Sequence, residues 1–218
     1  MKQRLQRWTT AAKSNSPKRR RMMPSTDKLK TSLLVLLFGL MTNAAFGQSG
    51  TTAESVVVSA DEKELYDRIM AHRAKHGLPP IPLSKSLCHV AKVHVMDLET
   101  NQPNKGLCNL HSWSDKGNWI PCCYTPDHAK SSLMWSKPKE LTSYPGEGFE
   151  IAHSSSGAAT AEGAFNSWLR SGGHNSVMLN REIWRAKWNA IGIGIHGKYA
   201  AAWFGKEVDP AGQPTLAK

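Results

Sequence analysis

The sequence predicts an α/β fold: one domain with helices packed against a mainly antiparallel sheet. Three observations carry that prediction. Two consecutive stretches, 61–76 and 83–100, repeat apolar residues at helical spacing, and a third follows at 160–171. Ala190–His196 places isoleucine at alternate positions, as a strand with one packed face does. Gly197-Lys198 then makes a tight turn into a second apolar run, Tyr199–Phe204, which is the pattern of a β-hairpin.

The elements follow in chain order. Residues 48–60 are rich in Ser, Thr, Ala and Val and read as a flexible lead-in, with Val56–Val58 able to pair at a sheet edge. In the first helix Leu65, Ile69 and His72 share a face, and Gly77 ends it before Pro79-Pro80. His72 and His76 stand four apart, but no third ligand lies near them in sequence, so they read as a solvated helix end. The second helix has Ser84 as its cap and buries Leu87, Val90, Ala91, His94, Val95 and Leu98. His94 lies on that stripe and reads as a core histidine with its hydrogen bonds satisfied. Pro103 and Gly106 break the pattern and open a long irregular insert that carries Trp113, Trp119 and three of the four cysteines. Loops of such length are usually functional or cross-linked. A short helix is expected within Lys130–Lys139, a turn at Tyr144–Gly148 and a short strand at Phe149–His153. A short amphipathic helix starts on Thr160 as N-cap and carries Ala161, Ala164, Phe165, Trp168 and Leu169 on one side. Gly172 and Gly173 are expected to stop it in the left-handed conformation, which delivers His174 at a rigid corner. In the hairpin, Gly192 and Gly194 leave one face bare, so another element can lie close against it. Residues 209–218 are polar with two prolines and read as a mobile tail.

Charge and cysteines bound the class of function. The formal net charge is +11. Residues 1–30 hold ten Lys/Arg and one Asp, hence +9; the remaining 188 residues hold eighteen basic and sixteen acidic side chains, hence +2. The basic excess therefore belongs to the first stretch, and the body has no electrostatic reason to bind nucleic acid. Residues 1–47 read as a signal peptide with a long basic n-region: Arg19-Arg20-Arg21, then the apolar run Leu33–Leu40, then Ala45-Phe46-Gly47 as a small-x-small cleavage site. Met22 or Met23 offers a second start. The apolar run falls short of the roughly 20 residues a span requires, so no stable membrane span is expected after removal of the leader. A secreted or periplasmic location follows, and there an even number of cysteines points to disulfides. Cys88 and Cys108 are each expected to pair with one of Cys122 and Cys123. The paired C-x-x-C spacing of a zinc site is absent.

No HExxH helix, P-loop, GxGxxG after a strand or usable GxSxG elbow is present. What remains is a scattered set of His and Glu, and the segment Trp168-Leu169-Arg170-Ser171-Gly172-Gly173-His174. That segment resembles the W-x-x-S-x-G-H signature of bacterial CAP-superfamily (SCP-like) domains, the family of cysteine-rich secretory, antigen 5 and pathogenesis-related proteins. The likeness extends to Ile191-Gly192-Ile193-Gly194, to the closing strand with Trp203-Phe204-Gly205, and back to Asn109-Leu110-His111-Ser112. It covers about residues 61–208. The resemblance implies an α–β–α sandwich with a cleft lined by two histidines, here His111 and His174, and by up to two glutamates. For the first glutamate, the letters Gly146-Glu147 resemble the family's G-E-N, whereas spacing to Trp168 and the following Ile151-Ala152 favour Glu150. The position of the second is Ser171.

The function that follows from the resemblance is an exported binding module for an extracytoplasmic ligand (lipid, peptide or protein). Its His/His/Glu cleft is expected to be able to hold Zn2+ or another divalent cation through His111 and His174. The alternative is a metal-assisted, peptidase-like hydrolase of the cell envelope. Ser112 is a poor nucleophile for its neighbour His111, because adjacent residues on an extended chain point to opposite sides.

Overall fold

The computed structural model describes residues 55–218; the leader read at 1–47 and the first part of the lead-in lie outside the described residues. The chain opens with β1 (Val57–Val58) and α1 (Ala60–Lys75). Ser59 caps α1 in a capping box: its Oγ accepts the Glu62 amide at 3.2 Å, and its own amide donates to Glu62 Oε2 at 2.8 Å. The same carboxylate takes the Lys92 ammonium at 2.6 Å, which ties α1 to α2 (Lys85–Asn101). Ser84 caps α2 as its sequence suggests, accepting Leu87 N–H at 2.9 Å.

The insert follows, with two short helices, α3 (Ser131–Trp135) and α4 (Lys137–Leu141), where one was expected. Lys137 organises it from a fully buried position: its ammonium donates to the Ile120 carbonyl and to Glu140, and lies 5.4 Å from the Trp113 ring centre. Next come β2 (Gly148–Ser154), α5 (Ala161–Arg170), α6 (Gly172–Met178), a 3₁₀ turn at Glu182–Trp184, the hairpin strands β3 (Ala190–His196) and β4 (Tyr199–Gly205), and β5 (Thr215–Leu216).

The sheet is antiparallel throughout, in the order β2-β4-β3. Its register is set by the two-residue turn that pairs His196 with Tyr199, where Gly197 sits at φ +54°. Side chains alternate along β4. Ala200, Ala202 and Phe204 enter a core shared with α1, α5 and α6, while Tyr199, Ala201 and Trp203 enter a second core shared with α2 and the insert. Helices on both faces make the α–β–α sandwich. The bare face of β3 is where α2 lies: a Cβ on Gly192 would stand 2.0 Å from the Leu87 carbonyl carbon, and one on Gly194 2.6 Å from that of Ala91. On the other face Trp168 is fully buried and donates its indole N–H to the Ala152 carbonyl at 3.1 Å, fixing α5 on β2.

Three expectations need correction. Gly172 and Gly173 do not end α5 in the left-handed conformation; neither has positive φ, and both lie in the first turn of α6. Ser171 makes the corner with extended backbone (φ −89°, ψ 115°). Of the expected disulfides only Cys108–Cys123 forms, with Cα atoms 4.9 Å apart; Cys88 and Cys122 are buried free thiols. Cys122 and Cys123 are neighbours on extended chain and so point to opposite sides. Cys122 turns into the core of α2 and the insert at a bridge with Trp113, while Cys88 packs in the core on the other face of the sheet. Finally, residues 209–218 are tied down where a mobile tail was read. Asp209 accepts hydrogen bonds from both Ser84 and Ser86 at the start of α2, and β5 pairs in parallel with β1.

Candidate functional site

The site lies along β2, the terminal strand of the three-stranded sheet, where both layers meet. Glu150 sits on β2 opposite Trp203, on the face that α2 covers. Its side chain is fully buried. Each oxygen meets one imidazole: Oε1 lies 2.5 Å from His94 Nδ1, and Oε2 lies 2.8 Å from His111 Nδ1.

His94 comes from the inner face of α2 and is fully buried, stacked on Trp113 with ring centres 4.3 Å apart. Its Nε2 donates to the Ser112 carbonyl at 3.0 Å. A carbonyl can only accept, so that nitrogen carries hydrogen. With a carboxylate at the other nitrogen, the ring is held as an imidazolium. Burial alone would lower the His94 pKa, but the Glu150 charge and hydrogen bonds outweigh it and raise it. The same balance acts on Glu150: burial raises it, yet the His94 charge and the bonds from His111 and His94 hold it at about 2. A core histidine with satisfied bonds is what the sequence suggested at 94. Its bond to the glutamate of the cleft was not legible there, because the partners lie 56 residues apart.

His111 is delivered by a turn in which Asn109 Oδ1 accepts the His111 amide at 3.0 Å and Asn109 O accepts that of Ser112. Since its Nδ1 donates to Glu150, its Nε2 is the ring nitrogen left for the cleft. Ser112, one residue on, is buried and its hydroxyl accepts the Tyr124 amide at 2.9 Å; it is a structural residue of the turn.

His174 comes from the other layer, in the first turn of α6. Ser171 lies beneath it as the N-cap, its Oγ facing the His174 amide at 3.5 Å, so the hydroxyl at this position is used to start the helix. Arg73 on α1, itself buried, ties down the far end of that helix by donating to the Met178 carbonyl at 2.6 Å. His72 Nε2 lies 2.9 Å from Asn175 Oδ1; an amide oxygen only accepts, so His72 donates, and it braces α6 where a solvated helix end was expected. The Nδ1 of His174 is buried and has no hydrogen-bond partner. Burial first, and repulsion from His111 second, push its pKa down, which keeps the ring neutral.

His111, Glu150 and His174 line one cavity of about 420 Å³. Its walls are Tyr124, His128, Met134 and Trp135 from the insert, Ile151 from β2, and Gly173, Val177, Ile183 and Trp184 from the segment after α5. These insert residues follow the last cysteine, Cys123, and the sequence marked them only as irregular chain and, within Lys130–Lys139, as a short helix; nothing local to them pointed to the cleft. Tyr124 and His128 form a pair, with the phenol oxygen 2.8 Å from His128 Nδ1. Glu147, the other candidate acid, is exposed in the turn before β2 and lines a different depression with Lys139 and Lys206. A cavity of about 360 Å³ near Pro79 and Trp188 includes Asp209, whose oxygens are already taken by Ser84 and Ser86.

The donor set falls short of a metal centre. Catalytic zinc takes three protein ligands and structural zinc four. Here His111 Nε2 and His174 offer two nitrogens, while both Glu150 oxygens face imidazoles. Among the described residues no three His, Cys, Asp or Glu side chains cluster to hold an ion. Two histidine nitrogens alone fall short of that ligand count, and Glu150, the carboxylate that lines the cleft among the described residues, has both oxygens facing imidazoles.

No curated protein matches the sequence. Among solved structures the chain is similar to an extracellular protein containing an SCP domain from Bacillus anthracis (17% identity, 67% of this chain and 40% of that one, TM-score 0.46). It is also similar to an outer surface protein from Borrelia burgdorferi (18% identity, 67% and 92%, TM-score 0.46). A third likeness is to a cysteine-rich secretory protein from Staphylococcus aureus (17% identity, 72% and 41%, TM-score 0.43). The chain thus spans about two fifths of the Bacillus and Staphylococcus proteins. No helix of the described residues is long and apolar enough to cross a membrane. The family described as the cysteine-rich secretory protein family, CAP, matches residues 66–199, more than half of the sequence, and the chain belongs to that family.

Proposed function

We propose that this protein is an exported CAP-type binding module whose cleft takes a small amphiphilic molecule. The apolar body lies against Met134, Trp135, Val177 and Trp184, and a hydroxyl head lies between His111 and His174. The observation that carries this reading is the buried, unpartnered Nδ1 of His174 in a cavity with largely apolar walls. A buried polar atom without a partner costs about 1–3 kcal/mol. A ligand hydroxyl removes that cost: it donates to His111 Nε2 and accepts from His174 Nδ1–H. The volume is within the roughly 300–1,000 Å³ usual for small-molecule sites. Export is supported by the leader pattern of residues 1–47 and by the Cys108–Cys123 bond, which suits an oxidising compartment.

Tryptophan fluorescence tests the cleft, because Trp135 and Trp184 line it. Titration with 1-decanol is expected to change the emission saturably, and methyl nonyl ether, which lacks the donor, to bind about tenfold more weakly. His111→Ala, which removes the acceptor of the ligand's proton, is expected to abolish that preference, whereas His174→Ala is expected to weaken alcohol and ether alike. Equal affinity for alcohol and ether, or no binding of either, would end the hydroxyl reading. A Zn2+ ion held by His111 and His174 is the competing occupant of the same nitrogens. Zn2+ that binds tightly and is lost in His174→Ala would favour it.

A further inference from the structure

The cleft has a lip that hydroxyl recognition does not use. Between α6 and β3 the chain turns through Asn180 and Glu182, both at positive φ (+51° and +54°). Asparagine adopts that conformation readily, whereas glutamate holds it only where its surroundings impose it. Here Asn180 imposes it. Its amide donates to the Trp184 carbonyl at 3.2 Å and to that of Ala186, and its oxygen accepts from Arg73 at 2.7 Å. The Arg181 amide is also tied, to the Ser176 carbonyl at 2.9 Å. The turn is therefore built to hold its apex, and the apex is Ile183. At 85% exposure Ile183 is the most exposed large apolar side chain of the described residues, yet it also lines the mouth of the cleft beside half-buried Trp184.

Cations surround this apex. Residues 181–187 hold Arg181, Arg185 and Lys187 against one acid, Glu182, and all four are exposed. Arg185 and Lys187 make no side-chain hydrogen bond or ion pair among the described residues. Lys206 is on the same side: its ammonium lies 4.8 Å from the Phe149 ring centre, and Phe149 packs on Trp184 at 5.3 Å. Its neighbour Glu207 offsets part of that charge.

We infer that the Arg181–Lys187 turn docks the cleft mouth onto an anionic lipid bilayer, with Ile183 entering the acyl boundary and Trp184 at headgroup level. An apolar tip, an amphipathic aromatic ring and unpaired cations are what a charged membrane–water interface attracts. An acidic protein is the other class of partner for such cations, but it would leave the exposed Ile183 and the open apolar cleft behind it without a purpose. One apolar side chain and a few cations give weak, reversible attachment, which suits exchange of an amphiphile between bilayer and cleft. This inference rests on the amphiphile reading of the cleft.

The test uses the whole chain labelled with an environment-sensitive NBD fluorophore at Ile183→Cys, and separately at Met96→Cys, an exposed apolar position on α2 outside the cleft. Both proteins carry residues 1–54, so vesicle binding by the basic leader is common to them. With phosphatidylglycerol/phosphatidylcholine vesicles the probe at 183 is expected to shift to the blue and brighten, and the probe at 96 to stay as in water. Pure phosphatidylcholine should give little response. Adding Arg185→Ser and Lys187→Ser should lower the ratio of inserted to free probe at 183 on vesicle-bound protein about twenty-five-fold, each cation near an anionic surface contributing about fivefold. A silent probe at 183, an equal response at 96, or a response indifferent to lipid charge overturns the inference; capture of an acidic protein with a silent probe does so in favour of that partner. Decanol titration of the same labelled protein separates the two readings. Decanol binding with a silent probe removes the lip and leaves the cleft, whereas a responsive probe without decanol binding keeps the lip and removes the cleft.

Discussion

Replacing Glu150 with glutamine keeps the shape of the site and removes the charge on which it is built. Both imidazoles lose their anionic acceptor, and His94, fully buried and bonded at both nitrogens, has no second place to put its charge. The size of the effect follows from the shift of Glu150 from an ordinary 4.5 to about 2. At about 1.4 kcal/mol per unit, that difference is worth about 3 kcal/mol above pH 4.5. It agrees with the roughly 3–5 kcal/mol lost when one partner of a buried pair is removed. Because the folded value lies below the unfolded one, the contribution is present above pH 4.5 and is lost as pH falls from there toward 2. His94 works in the opposite sense. Its folded pKa is raised above 6.5, so its contribution is full below 6.5 and is lost as pH rises through the folded value. The two describe one interaction and are not summed. Urea unfolding of wild type and Glu150→Gln should therefore differ by about 3 kcal/mol at pH 5.5 and by about 1 kcal/mol or less at pH 2.5. In thermal scans the gap at pH 5.5 corresponds to roughly 6–12 °C. A gap under 1 kcal/mol at pH 5.5, or one that is the same at both pH values, would refute the His94–Glu150–His111 arrangement as the charged centre of the site.

Three further outcomes are expected. Gly192→Ala places a methyl 2.0 Å from the Leu87 backbone, which cannot move without shifting α2, so a loss of about 3 kcal/mol or more is expected in the same urea assay; a loss below 1 kcal/mol would mean α2 does not lie on β3 as described. Thiol counting with Ellman's reagent should find no fast-reacting group in the native protein and two after unfolding without reductant, since Cys88 and Cys122 are buried and burial pushes Cys88 up to about 12; four or zero thiols on unfolding would contradict the single Cys108–Cys123 bond. Ser171→Ala should lower stability by about 1 kcal/mol, the usual worth of an N-cap, while Ser171→Asp, which also caps, should retain it. Equal losses in both variants would show that Ser171 acts otherwise than as the cap of α6.

Much of the fold is local in origin and was therefore legible. Helix positions in α1, α2 and α5 follow from apolar spacing and from the caps Ser84 and Thr160, each of which acts on an amide three residues on. The hairpin follows from alternating isoleucines and one glycine, and the bare face at Gly192 and Gly194 announced the close approach of another element, which is α2. Local signals also misled. The Gly172-Gly173 pair reads as a stop, but the corner is set by extended Ser171, and the glycines open the next helix. The polar composition of residues 209–218 hides the buried bonds from Asp209 to Ser84 and Ser86, partners about 125 residues away in sequence.

By itself the sequence determined the long helices, the hairpin and the family likeness, and it put forward His111 and His174, because periodicity, caps and short motifs are written in neighbouring residues. Only the tertiary structure decided which carboxylate serves the cleft. Glu147 and Glu150 are three residues apart and chemically alike, and spacing only tilted the choice toward Glu150. On the sheet Glu150 faces α2 and meets two imidazoles, whereas Glu147 is left in the turn facing water. The same holds for the cysteines. Cys122 and Cys123 are adjacent in sequence, and the alternation of an extended chain sends one into the core and the other to Cys108. It holds for Ile183 as well, whose exposure at the cleft mouth depends on an asparagine holding the turn that carries it.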